Sequence, residues 1–205
     1  MNNPILLLGG GGHSGVLIET IQLLSLDILG IIDPNLKKGT LVDNNIPILG
    51  GDSIISSYSP DDVLLVNAVG PSPREKVREM ITKKYMDIGY KFLTVIHPDA
   101  QVSNKSIISE GAQIMAGSVI QANTRIGIDS VINTGAVIDH DSVIGDHCHV
   151  APGAIICGGV TAGDGSFFGA GSIVLENISI GEYSLLAAGI TLRKNLQANE
   201  VFYGK

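Results

Sequence analysis

The stretch Val131-Ile132-Asn133-Thr134-Gly135-Ala136-Val137-Ile138-Asp139-His140-Asp141-Ser142-Val143-Ile144 decides the fold of the C-terminal half, because its anchors Ile132, Ile138 and Ile144 recur every six residues. The frame extends both ways without a break. It runs Val102, Ile108, Ile114, Ile120, Ile126 before this stretch and Val150, Ile156, Ala162, Phe168, Val174, Ile180, Leu186, Leu192 after it. At an ordinary apolar content, sixteen hits in one frame arise by chance on the order of once in 10⁵–10⁶ trials. A second column, four residues behind each anchor, is mostly small: Ser118, Thr124, Ser130, Ala136, Ser142, Cys148, Ala154. This is a hexapeptide repeat, which predicts a parallel β-helix. A coil of about 18 residues holds three hexads, so residues 102–192 make about five coils, stacked at ~4.8 Å. Anchors point inward and leave no polar interior, so function must lie on outer faces or between subunits.

The first ~95 residues do not repeat. Pro4–Leu8, Ile28–Ile32, Val63–Val69 and Lys91–Ile96 read as strands. About 14–24 reads as a helix, and so does 74–86, with Val77, Met80, Ile81 and Met86 on one face. Asn35–Gly51 is turn-rich. Strands alternating with helices predict a small α/β domain with a parallel sheet. The boundary falls near His97-Pro98-Asp99, giving domains 1–96 and 97–205.

The net charge of −7 comes with no basic block, which argues against nucleic acid and anionic membrane surfaces as partners. Met1–Pro4 has no basic n-region, and Ile5–Leu8 is too short for a signal core or a membrane span. Cys148 and Cys157 match neither a disulfide framework nor a zinc knuckle. A cytoplasmic protein with reduced thiols is expected, Cys148 being a buried packing residue.

Gly9-Gly10-Gly11-Gly12-His13-Ser14-Gly15 contains G-x-G-x-x-G at Gly10, Gly12 and Gly15, between a strand and a helix. Backbone N–H groups there would face a phosphate, and Asp33 sits where such domains bind a ribose. With four strands counted, a nucleotide or nucleotide-sugar fits better than NAD; a turn with only a packing role is the bland reading. Gly70, in Gly70-Pro71-Ser72-Pro73, and Arg74 are further candidates for substrate contact, Arg74 being equally readable as a solvated helix charge. In the solenoid, His140, His147 and His149 fall within ten residues, off the inward frame. Asp139 and Asp141 flank His140, an arrangement that suits a general base, although a solvated turn histidine is the alternative.

The hexads, the Asp-His-Asp segment and the Gly-Gly-His loop together resemble the bacterial nucleotide-sugar acetyltransferases. These are the bacillosamine-type and perosamine N-acetyltransferases, with sialic-acid O-acetyltransferase relatives. The resemblance implies a Rossmann-like N-terminal domain, a left-handed β-helix and a homotrimer. It implies acetyl transfer from acetyl-CoA to a nucleotide-linked amino sugar, with no metal. In this reading His140 is the base and Asp141 its acidic neighbour. His149 contacts the acetyl group, and Asn133 the substrate. Gly158, Gly169, Ala170, Ala188 and Gly189 line the coenzyme. Gly12, His13, Ser14 and Asp33 hold the nucleotide. Pro34 replaces a second Asp found in some relatives, and the chain stops at Tyr203-Gly204-Lys205 where relatives continue with Gly-x-Pro-Ala. Rival readings are O-acetylation of a sialic-acid-type sugar, another hexapeptide acetyltransferase such as the serine type, a metal-dependent trimer of the γ-carbonic-anhydrase type, and a non-catalytic scaffold.

Overall fold

The computed structural model describes residues 3–43, 45–73 and 75–204. The chain divides into two compact units between Val95 and Ile96.

The first unit is built on β1 (Ile5–Leu8), α1 (Gly12–Leu23), β2 (Ile28–Ile32), β3 (Leu41–Val42), β4 (Ile46–Gly50), β5 (Leu64–Asn67), α2 (Val77–Met86) and β6 (Lys91–Phe92). The strands form one sheet in the order β3-β4-β2-β1-β5-β6. Only β3 pairs antiparallel, with β4; the rest are parallel. The continuous apolar run of β1 is buried throughout, as a central parallel strand with both faces covered requires. Leu17, Ile18 and Ile21 of α1 are buried, as are Leu65 and Phe92 on β5 and β6.

Three expectations for this half change. Asn35–Gly51 is not only turns: its end is β4, with Ile46 and Ile48 buried. Pro47 disguises that strand in the sequence, since proline removes a ladder donor. The strand read at 91–96 is two strands, β6 and Val95–Ile96, and the latter belongs to a sheet of the solenoid. The face of α2 is only partly as expected: Ile81 and Met86 pack against the core, but Val77 does not. Met80 is 68 % exposed, whereas Arg78, Thr82 and Tyr85 are buried. Hydrogen bonding joins the apolar contacts of Ile81, Tyr85 and Met86 in seating this helix. Asn67 donates from Nδ2 to Thr82 Oγ1 at 2.9 Å and to the Arg78 carbonyl at 3.0 Å. Arg78 Nη1 donates to the carbonyls of Asn67 (2.9 Å) and Val69 (2.7 Å). A buried cation is tolerated when its donors are used in this way.

The second unit is a parallel β-helix with three walls of seven, six and five two-residue strands. Strands pair in register with those 18 residues on, as Val119 with Val137, Val137 with Ile155 and Ile155 with Ile173, until the final pair, Leu185 with Val201, which is 16 apart. Anchors from Ile114 to Leu192 form the buried core; Val102 and Ile108, at the end of the stack, are only partly covered. The small column does more than fit the corners. Ser118, Ser130, Ser142 and Ser166 donate their hydroxyls to backbone carbonyls, and Cys148 points its thiol at the Gly163 carbonyl, 3.3 Å away. Burial pushes that thiol up to about 12, consistent with an inert packing role.

From Gly111 to Gly189 every corner turns through a left-handed residue. One corner uses glycine throughout: Gly117, Gly135, Gly153, Gly171 and Gly189. The corner carrying Asp141 instead uses Asn123, Asp141, Gly159 and Asn177 in successive rungs. Asn and Asp are the side chains that enter this region most readily, which is how functional groups come to stand at a turn built for glycine.

Candidate active site

His140 follows the strand Val137–Ile138 and stands at the corner. Its Nδ1 lies 2.8 Å from Asp141 Oδ2. On its other side, its backbone N–H donates to Asp139 Oδ1 at 2.8 Å, and Nε2 lies 3.9 Å from Asp139 Oδ2. The Asp141 contact, then the Asp139 charge, raise the imidazole pKa above its ordinary value. Asp141 is held below the usual carboxylate range, first by the amide of Asn123, whose Nδ2 donates to Oδ1 at 2.9 Å, and then by His140.

The ring lies over the glycine of the next rung. A Cβ at Gly158 would come within 2.8 Å of His140 Cε1 and 2.9 Å of Nε2. His140, Asp139, Asp141, Cys157, Gly158 and Glu176 border a cavity of about 510 Å³. Burial, then Glu176 and Asp139, push the Cys157 thiol up, so it is not a ready thiolate. The cavity therefore offers a base oriented through one nitrogen, an accessible second nitrogen, and walls that are acidic.

The other solenoid candidates stand on a different wall. His149 faces outward from the strand His149–Val150, between Val131 and Phe167 of the adjoining rungs. It is nearly buried, packs edge-on to the Phe167 ring at 4.8 Å, and its Nε2 lies 3.3 Å from Asn133 Nδ2. Asn133, Gly169, Ala170, Ala188 and Gly189 fall at the all-glycine corner that closes this wall. There Gly189 N–H donates to the Ala170 carbonyl at 2.9 Å. Gly169 is closed to any side chain, its Cβ position meeting the backbone of Ala188. Within one chain, then, His140 groups with Gly158, and His149 groups with Asn133 and the remaining coenzyme candidates. His147 is held apart from both groups, its Nδ1 3.3 Å from the buried carboxylate of Asp129.

In the first unit the glycine loop opens α1, with Gly12, His13 and Ser14 in its first turn. Asp33 holds this loop: Oδ2 accepts from Gly10 N–H and Oδ1 from Asn35 N–H, both at 2.8 Å. Gly10 is packed against Leu36, and Gly9 (φ +104°) against Val69, so both are needed internally. Gly11, Gly12 and Gly15 face open space, which leaves room for a ligand. Ser14 is buried and its hydroxyl donates to the Gly11 carbonyl at 2.6 Å, so it closes the loop rather than presenting a donor outward. Gly70 adjoins His13, 3.8 Å from Cβ to Cβ position. Arg74 lies outside the described residues.

Residue-by-residue reading of the sequence missed Asn123, Glu176 and Arg78. The first was within reach, because 18 residues separate Asn123 from Asp141 and one rung separates them in space. Among the described residues, no three His, Cys, Asp or Glu side chains converge to hold a metal ion. No helix among them is long and apolar enough to cross a membrane.

Residues 4–85 match the family model of the PglD N-terminal domain. No curated protein sequence matches the chain significantly. Among solved structures, a histidine-to-asparagine mutant of perosamine N-acetyltransferase from Caulobacter crescentus, in complex with CoA and GDP-perosamine, is 30 % identical with a TM-score of 0.89, the match covering 97 % of this chain and 92 % of that one. The acetyltransferase domain of PglB from Neisseria gonorrhoeae FA1090, in complex with acetyl coenzyme A, is 28 % identical with a TM-score of 0.90, covering 98 % and 96 %. WeeI from Acinetobacter baumannii AYE, 23 % identical with a TM-score of 0.86 and coverage of 98 % and 96 %, shares the fold. A repeat that forms a β-helix, a glycine loop on a parallel sheet and a likeness spanning nearly the whole chain converge: this protein belongs to the family of hexapeptide-repeat nucleotide-sugar acetyltransferases.

Proposed function

We propose that the chain transfers the acetyl group of acetyl-CoA to the amino group of a nucleotide-linked amino sugar, for which a 4-amino-4,6-dideoxy sugar is the first candidate. The observation that carries this reading is His140, fixed through Nδ1 by Asp141 at 2.8 Å while Nε2 faces the cavity. The relatives' complexes with CoA, acetyl-CoA and GDP-perosamine support the two substrates.

The amine nitrogen attacks the thioester carbonyl carbon. His140 Nε2 accepts the proton that the nitrogen loses, Asp141 stabilises the imidazolium, and the C–S bond breaks to release CoA, the sulfur taking up the proton. His149 supports the oxyanion that forms on the way. Cys157 has no covalent part, its thiol being pushed up rather than down, which favours direct transfer. The acidic border of the cavity suits an amine acceptor and disfavours the carboxylate of a sialic-acid-type sugar.

The nucleotide belongs on the first unit, at Gly12, His13, Asp33 and Gly70, with Ser14 shaping the loop. Its parallel strands, counted in chain order, run third-second-first-fourth-fifth, the order of the first five strands of doubly wound dinucleotide domains. That order supports a Rossmann-like assignment. The separation of His140 from His149 onto two walls supports a site completed between copies, in a cytoplasmic homotrimer of left-handed β-helices. Acetyl-CoA then lies in the groove between two copies, along Gly158 on one and Gly169, Ala170, Ala188 and Gly189 on the other, with Asn133 touching the acceptor.

The test is CoA release from acetyl-CoA with UDP-, GDP- and dTDP-linked amino sugars and with free sialic acid. Turnover with one amino sugar, lowered roughly 10²–10⁴-fold in His140→Ala with an unchanged KM for acetyl-CoA, is expected. Equal turnover in the variant removes His140 from the reaction; release only with sialic acid replaces N- by O-transfer. The pH profile adds a sign. His140 works deprotonated and its pKa is raised, so kcat/KM climbs through a pKa above the ordinary histidine value. Asp141→Asn moves that limb to lower pH while lowering the plateau.

A further inference from the structure

The carboxylate that orients His140 is itself oriented from the neighbouring rung. Asn123 and Asp141 occupy the same corner of successive rungs, with φ of +62° and +59°. The Asn123 amide donates to Asp141 Oδ1 at 2.9 Å, which leaves Oδ2 to face His140 Nδ1 at 2.8 Å. All three side chains are exposed. An aspartate at an exposed turn, without a second partner, spreads over several staggered rotamers, and only some of them reach the imidazole.

We infer that Asn123 is a positioning residue for the acetyl transfer: it holds Asp141 in the one rotamer that keeps His140 oriented with Nε2 toward the acceptor. The inference rests on the reading of His140 as the base. Asn123 neither gives nor takes a proton in the step; the amine proton passes to Nε2 as the N–C bond forms and the C–S bond breaks. An amide suits this place because it donates a hydrogen bond without bringing a charge. A lysine or arginine would pair with Asp141 and weaken its pull on the imidazole. The backbone alone does not explain the asparagine. Gly159 occupies the next place in the same column, with φ of +69°, and has no side chain at all.

That difference supplies the experiment. In Asn123→Gly the left-handed turn is kept and relaxed, and only the amide is lost. Asn123→Asp keeps the size and turn preference but exchanges the donor for a second carboxylate. Both are compared with wild type and His140→Ala, by steady-state kinetics across pH and by NMR titration of the His140 imidazole, assigned through the signal that His140→Ala removes. Asp139 and Glu176, the other charged groups bordering the cavity, are untouched. Expected for Asn123→Gly are an undiminished melting temperature, a kcat lower by roughly ten-fold (the size of effect that outer partners have on metal-bound histidines), an unchanged KM for acetyl-CoA, and a His140 titration moved toward the ordinary histidine value. Asn123→Asp loses turnover to a similar extent. Wild-type turnover and an unmoved titration in Asn123→Gly, with His140→Ala inactive, overturn the inference and leave the base in place. An active His140→Ala overturns both.

Discussion

The two units of this chain are built on opposite principles. In the solenoid, strand residues up to Leu192 meet those 18 places along the chain, and a strand of two residues suffices because its neighbours repeat it. In the first unit no such arithmetic holds. Beside the apolar contacts of Ile81, Tyr85 and Met86, α2 is held by one asparagine, Asn67, reaching Arg78 and Thr82 across 11 and 15 residues of sequence. A periodic fold spreads its specification over many equivalent positions. An aperiodic fold concentrates it in a few hydrogen-bonded groups whose partners are not regularly spaced.

The sharpest test of the solenoid side is its core. Ile156 is fully buried in the stack of anchors, so Ile156→Ala is expected to destabilise by about 2–5 kcal/mol, read as a fall in the denaturant midpoint. A loss well below about 1 kcal/mol would mean that the stack tolerates gaps and that its regularity is not what holds it. Next in size is Gly158→Ala, where periodicity and function meet. The added methyl would stand within 3 Å of the His140 ring. The ring must move, and a displacement of that order costs roughly 10²-fold in kcat. Thermal unfolding should change far less than turnover. Equal kcat would show that the ring does not work from the position described.

On the aperiodic side the contrast is between two neighbours on α2. Arg78→Ala leaves the carbonyls of Asn67 and Val69 without their donor, a loss of about 1–3 kcal/mol. Because Val69 packs at Gly9, affinity for the nucleotide-sugar is expected to fall as well, measurable by calorimetry. Met80→Ala, on the exposed face, changes stability by less than about 0.5 kcal/mol. If Met80 proved the costlier of the two, the hydrogen bonds of Arg78 would not be what fixes α2.

The legibility of the chain follows the same division. The anchors Ile114 to Leu192 could be read as a core from spacing alone, since a period of six places every anchor inside. The stacking of Asn123 on Asp141 was implicit in that period too. By contrast β4 was hidden by Pro47, and of the four apolar residues expected on the buried face of α2, Val77 and Met80 are exposed while Ile81 and Met86 pack on the core. Propensity and moment arguments cannot see a buried arginine that is satisfied by carbonyls from another element.

By itself the sequence determined the solenoid, its inward frame, the glycine loop between strand and helix, and the Asp-His-Asp segment at a corner. These depend on local period and neighbours along the chain. Only the tertiary structure decided which nitrogen of His140 is tied to Asp141, and that Gly158 underlies its ring. It also decided that Ser14 and Asp33 bond to the loop's own backbone, and that His140 and His149 stand on different walls. Those facts turn on side-chain directions and on distances between residues far apart in sequence.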